Sequence, residues 1–120
     1  MKILILGNGY LGNRCAQIWG DEAILSDKFI KTENDVLELL DQHKPDVVLN
    51  AAGIVGKPNV DWCENHQIET IDGNTILPII IAKACQQRNV YLLHMGTGCV
   101  FYGEMPRPEG WKESDFANPE

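Results

Sequence analysis

Apolar residues in this 120-residue chain come in short blocks, each followed by a turn or a helix-like stretch. Lys2 to Leu6 is an apolar run of strand length, closed by the glycine-rich "GNGYLG". A helix-like stretch follows from about Tyr10 to Trp19, until Gly20 and Asp21 punctuate it. "EAILS" predicts a second strand ending near Asp27, and "KFIK" a short third one. Thr32 with Asp35 three residues on resembles a capping box. It opens a helix with Val36, Leu37, Leu39 and Leu40 on its apolar side, which Lys44-Pro45 ends. "DVVLNAA" is the best strand, and its near-continuous apolarity predicts burial on both faces. A helical region from Cys63 to Gln87 is interrupted at Gly73 and Pro78, so it is two helices or one bent one. "NVYLLHMG" is another strand, and beyond Gly98 the chain reads as loop. This alternation predicts an α/β fold: one doubly wound parallel sheet with helices on both faces.

The charge balance narrows the partners. A formal net charge of −7 argues against nucleic acid or an anionic membrane surface. The longest apolar run, "ILPIIIA", falls far short of the ~20 residues that span a bilayer. The apolar start lacks a small-residue cleavage site, so no secretory leader is expected. Four cysteines without C-x-x-C spacing, and three histidines without ligand spacing, predict a reduced cytoplasmic protein without a metal.

Chemistry concentrates after the strands. Gly7, Gly9 and Gly12 form G-x-G-x-x-G between a predicted strand and a predicted helix, the context a dinucleotide loop requires. Gly7 permits the turn, Gly9 lets backbone approach a pyrophosphate, and Gly12 lets the helix pack closely. From Ile3 to Gly20 the only charged residue is Arg14, so no carboxylate opposes an anion there. Asp27, at the second strand's end, could bond a ribose and favour NAD; Lys28 and Lys31 could meet a 2′-phosphate and favour NADP; ordinary surface charges are the third alternative. Asn50, Ala51, Ala52 and Gly53 end the central strand with small residues that leave room for a flat ring or sugar.

In "MGTGC", alternation along an extended chain puts Thr97 and Cys99 on one face. Thr97 could bond a carbonyl oxygen during hydride transfer or satisfy local backbone. Cys99 could exchange a proton or be a small core residue. His94 is expected to pack, His66 to cap or line its loop, and His43 to see solvent. Trp62 is expected to anchor packing, and Asn74 to cap the helix or steady a neighbouring loop.

"GNGYLG", "NAAGIVGKPNVDWCENHQIETI" and "GTGCVF" together resemble the extended short-chain dehydrogenase/reductase family. The likeness is strongest to its nucleotide-sugar branch, the dTDP-4-dehydrorhamnose reductases and the epimerase/reductases of UDP-rhamnose synthesis. The resemblance implies a Rossmann domain that binds NAD(P) through Gly7, Asn8, Gly9, Tyr10, Leu11, Gly12, Asp27, Lys28, Asn50, Ala51, Ala52, Gly53 and Thr97. It implies Thr97 and Cys99 as catalytic residues, and Val55, Asn59 and Trp62 as contacts to a nucleotide-sugar substrate. A homodimer is a further expectation. The glycine loop is one residue shorter than the family's usual G-x-x-G-x-x-G.

That family also needs a Tyr-x-x-x-Lys pair. None of Tyr10, Tyr91 and Tyr102 has a lysine four residues on. The expectation is therefore an N-terminal cofactor-binding portion, inactive alone, with the Tyr-Lys helix and substrate domain outside it. A non-catalytic, nucleotide-sensing Rossmann subunit is the alternative.

Overall fold

Four short parallel strands carry the fold. A computed structural model describes residues 1–96, 98, 101 and 103–117. The strands are β1 (Ile3–Leu6), β2 (Ala23–Ser26), β3 (Val47–Asn50) and β4 (Tyr91–His94). They lie in the order β2-β1-β3-β4, every neighbouring pair parallel. In register, Leu6 stands beside Ser26 on one side and Asn50 on the other, and Asn50 beside His94. All four strands therefore end together, and the chain reverses direction across the sheet between β1 and β3.

Strand side chains alternate between faces. Leu4, Leu6 and Val48 turn toward α2 (Glu33–His43) and α4 (Leu77–Arg88), meeting Val36, Leu39, Leu40, Ile81, Ala84 and Cys85 in the main core. Ile3, Ile5 and Leu49 turn the other way, toward Cys15, Ala16 and Trp19 of α1 (Tyr10–Trp19). Helices thus cover both faces, as the alternation predicts. Each fully buried Leu or Ile contributes about 1.5–3 kcal/mol, so the α2–α4 face supplies most of the cohesion. Burial also pushes the Cys85 thiol up to about 11. Along β4, Tyr91 and Leu93 remain exposed.

Local chemistry explains the helix ends. The Thr32 hydroxyl accepts from the Asp35 N–H, and the Asp35 carboxylate accepts from the Thr32 N–H at 2.8 Å, which completes the capping box. Lys44 closes α2 in the left-handed region, its N–H donating to the Leu40 carbonyl. The expected helical region after β3 is one path of changing pitch. A 3₁₀ segment (Val60–Asn65) leads into α3 (Gln67–Ile71), a π turn (Asp72–Ile76) and then α4. The interruption falls at Gly73, inside the π turn; Pro78 sits in the first turn of α4, where a missing N–H is tolerated.

Two expectations need correction. "KFIK" is no strand: residues 28–31 are irregular, Phe29 is exposed, and Lys28 is drawn to α2 by Glu38. His94 does not pack inside; it is exposed at the tip of β4.

Candidate functional site

β1 leads straight into a turn that only glycine can make. Gly7 has φ +110°, and a Cβ there would stand 2.4 Å from the Ala52 nitrogen. A Cβ on Gly12 would stand 1.9 Å from the Gly7 carbonyl oxygen. The start of α1 is therefore pressed onto the β1 turn, and that turn onto the segment after β3. Gly9 differs: it is extended, and nothing lies within 4 Å of where its Cβ would be. It is the N-cap of α1, yet no side chain caps the helix and no acid stands in its first turn. Asn13 holds this loop in shape, its amide donating to the Asn8 side-chain oxygen and the Gly9 carbonyl at 2.8 Å each.

The loop after β3 is held by two asparagines. Asn50 is fully buried. Its oxygen accepts from the Ala52 N–H at 3.1 Å, and its amide nitrogen lies 3.1 Å from Nδ1 of His94. Asn74, in the π turn, clasps Ile54 at both ends. Its oxygen accepts the Ile54 N–H at 2.7 Å, and its nitrogen donates to the Ile54 carbonyl at 2.9 Å. It steadies the neighbouring loop, one of the two roles its position suggests. Gly73 beside it leaves space for Ile54, whose Cγ1 would otherwise meet a Cβ at 2.4 Å.

Between these loops lies a cleft of about 510 Å³ at the carboxyl ends of β1, β2 and β3. This is the crevice where open α/β sheets take ligands, beside the point where strand order reverses. Leu6, Gly7 and Asn8 line it from β1, Asp27 and Lys28 from β2, and Ala52 and Gly53 from β3. A smaller depression of about 360 Å³ shares Phe29, Ile30, Asp72 and Leu77 with it. Of the residues expected to bind cofactor, Gly7, Asn8, Asp27, Lys28, Ala52 and Gly53 thus come together directly. Gly9, Tyr10, Leu11 and Gly12 form the adjoining helix start, and Asn50 and Ala51 the support beneath.

Val55, Asn59 and Trp62 do not line the cleft. Val55 is exposed, and the Asn59 side chain accepts the Asp61 N–H, capping the 3₁₀ segment. Trp62 stacks on His66 with ring centroids 3.6 Å apart. The His66 Nδ1–H donates to the Trp62 carbonyl at 2.8 Å. Thr97 and Cys99 lie outside the described residues. Sequence reasoning missed Asn13, whose amide gives no signal beyond its helical spacing from Gly9. It also missed Phe29, Glu69, Asp72 and Gly73 as lining residues, because segments some forty residues apart meet only in three dimensions.

No helix among the described residues is long and apolar enough to cross a membrane. Known proteins match along the whole chain. The "bifunctional dTDP-4-dehydrorhamnose 3,5-epimerase/dTDP-4-dehydrorhamnose reductase" of Arabidopsis thaliana is 33% identical over 92% of this chain and 38% of its own. A solved dTDP-4-dehydrorhamnose reductase from Clostridium acetobutylicum is 32% identical with a TM-score of 0.77, over 99% of this chain and 43% of that one. The solved L780 UDP-rhamnose synthase of Acanthamoeba polyphaga mimivirus is 29% identical with a TM-score of 0.82, over 100% of this chain and 46% of that one. The chain thus spans less than half the length of these relatives. The RmlD substrate binding domain family matches residues 1–120, and the chain belongs to that family.

Proposed function

We propose that residues 1–120 are the dinucleotide-holding portion of an NAD(P)-dependent nucleotide-sugar epimerase/reductase that acts on a 4-keto-6-deoxy sugar nucleotide of the rhamnose type. The observation that carries this is the uncapped start of α1 beside an open cleft at the strand-order reversal. Support comes from relatives named as epimerases and reductases of dehydrorhamnose, and from a 25% identical reductase of Bacillus anthracis solved with NADP.

The residues present fit such a cofactor. The space left open at Gly9 lets a diphosphate reach the first-turn amides of α1, whose dipole favours an anion by about 0.3–1 kcal/mol. Ala52 and Gly53 offer small side chains to a flat ring. When bound, the dinucleotide supplies hydride for the sugar's C4 ketone. Thr97 donates a hydrogen bond to the ketone oxygen and orients it. Cys99 moves protons at C3 or C5, which the neighbouring ketone acidifies. Val55, Asn59 and Trp62 meet the sugar nucleotide along the loop from Ile54 to His66. The proton that completes reduction needs a donor, and no tyrosine among these 120 residues carries its lysine partner. We assign that donor to a part of the enzyme outside residues 1–120. Free thiols at Cys15, Cys63 and Cys85 favour a reducing compartment, and we place the enzyme in the cytoplasm.

Calorimetric titration of residues 1–120 with reduced nicotinamide dinucleotide tests this. One saturable site, with no conversion of the 4-keto sugar nucleotide, is the expected result. No binding of either NADH or NADPH contradicts the cofactor role. Turnover at an enzyme-like rate contradicts the external proton donor.

A further inference from the structure

Resting on the cofactor site proposed above, we infer that the cleft selects NAD(H) over NADP(H), with Asp27 as the residue that decides. Kinship alone does not decide this: a Bacillus anthracis reductase 25% identical to this chain was solved with NADP.

Ser26 ends β2 in register with Leu6, so Asp27 emerges at the same sheet edge as the glycine turn. Its side chain is exposed, lines the cleft, and makes no ion pair or hydrogen bond among the described residues. A carboxylate has free lone pairs for both hydroxyls of a ribose, and it repels a phosphate on the same carbon.

Lys28 is the one cation among the described residues that line the cleft, and it is already committed. Its Nζ stands 2.7 Å from the Glu38 carboxylate and 3.7 Å from that of Asp35. To reach a 2′-phosphate it would have to leave both carboxylates and settle beside Asp27. Lys31 is not among the residues that line this cleft: it lines the neighbouring depression, its Nζ 5.6 Å from the centre of the Phe29 ring that the two share. The remaining charged residues lining the cleft, Glu69 and Asp72, are both acidic. A 2′-phosphate of charge about −1.5 to −2 would therefore enter among three carboxylates, with no uncommitted cation among the described residues that line the cleft. A plain ribose meets no such opposition.

Calorimetric titration with NADH and with NADPH, on the wild-type chain and on Asp27→Asn and Glu38→Gln, separates the outcomes. Both substituted positions are exposed, and a thermal melt checks that each variant folds. NADH is expected to bind about tenfold or more tighter than NADPH. Asp27→Asn is expected to weaken NADH and narrow that ratio. Glu38→Gln removes the nearer of the two carboxylates that hold Lys28, and is expected to strengthen NADPH severalfold while leaving NADH unchanged. NADPH binding as tightly as NADH, or an Asp27→Asn variant with an unaltered ratio, overturns the inference and leaves the cofactor site standing. Failure of both dinucleotides to bind removes the cofactor site itself, and the inference with it.

Discussion

The first turns of α1 and α2 solve one problem in opposite ways. Every helix begins with backbone N–H groups that have no partner inside the helix. At α2, Thr32 and Asp35 supply those partners from their own side chains, and Glu33 adds a second negative charge. At α1, the cap is Gly9, no side chain reaches back, and the first turn holds no acid. The chain clearly can build a cap, since it does so at α2. Leaving α1 bare, beside the cleft and under two glycines packed to contact, keeps its donors available to an anion from outside. One helix start is finished by its own side chains; the other has no side-chain cap.

Substitutions break or sharpen that contrast. The largest effect is expected at Gly12, which α1 needs in order to press against the Gly7 carbonyl. Gly12→Ala places a methyl group 1.9 Å from that backbone oxygen. It should cost about 3 kcal/mol, outweighing the ~1 kcal/mol that alanine gains over glycine in a helix. Chemical denaturation measures this, and dinucleotide affinity should fall with it. Thr32→Ala removes the cap of α2 and should cost about 1 kcal/mol, with dinucleotide affinity unchanged because Thr32 does not line the cleft.

A subtler effect is expected in acid. The Lys31 and Thr32 N–H groups, then the Thr32 hydroxyl, hold the Asp35 carboxyl down to about 2, against an ordinary value of 3.8. A depressed carboxyl stabilises the folded state fully above its unfolded value and loses that contribution as pH falls through its folded value. Amide protection in the first turn of α2, taken relative to intrinsic exchange at each pH, should therefore fall between about pH 4 and pH 2, and Asp35→Asn should flatten that dependence. α1 has no carboxylate in its first turn and should show no matching local step.

How much of this is legible in the sequence follows from how specific each residue is. The turn at Gly7 and the close packing at Gly12 read correctly because a glycine triplet between a strand and a helix marks a tight strand–helix turn. The Thr32–Asp35 box and the ends of α1 read correctly because capping and punctuation are local. Asn13 and Asn74 did not declare their partners: an amide can bond almost anything, and tertiary structure alone brings Asn74 to Ile54 twenty residues back. "KFIK" imitates a strand in its alternation, but the sheet has no place for it once Lys28 turns to Glu38. The π turn left a single trace, Gly73, because nothing in composition separates it from an ordinary helix break. The cleft wall from Glu69 to Leu77 was invisible for a different cause. Its charges, Glu69 and Asp72, carry no motif, and only the fold brings them to the cleft that Asp27 lines.

The contrast between the two helix starts is tested most directly at Gly9. Gly9→Asp gives α1 the cap it lacks, in an extended backbone with nothing within 4 Å of the new Cβ. Stability should change by no more than a few tenths of a kcal/mol, and upward if at all. NADH affinity, measured by titration on the same variant, should fall about tenfold or more because a carboxylate now occupies the place kept for a diphosphate. A Gly9→Asp chain that folds as well as the original and binds NADH equally tightly would contradict the account.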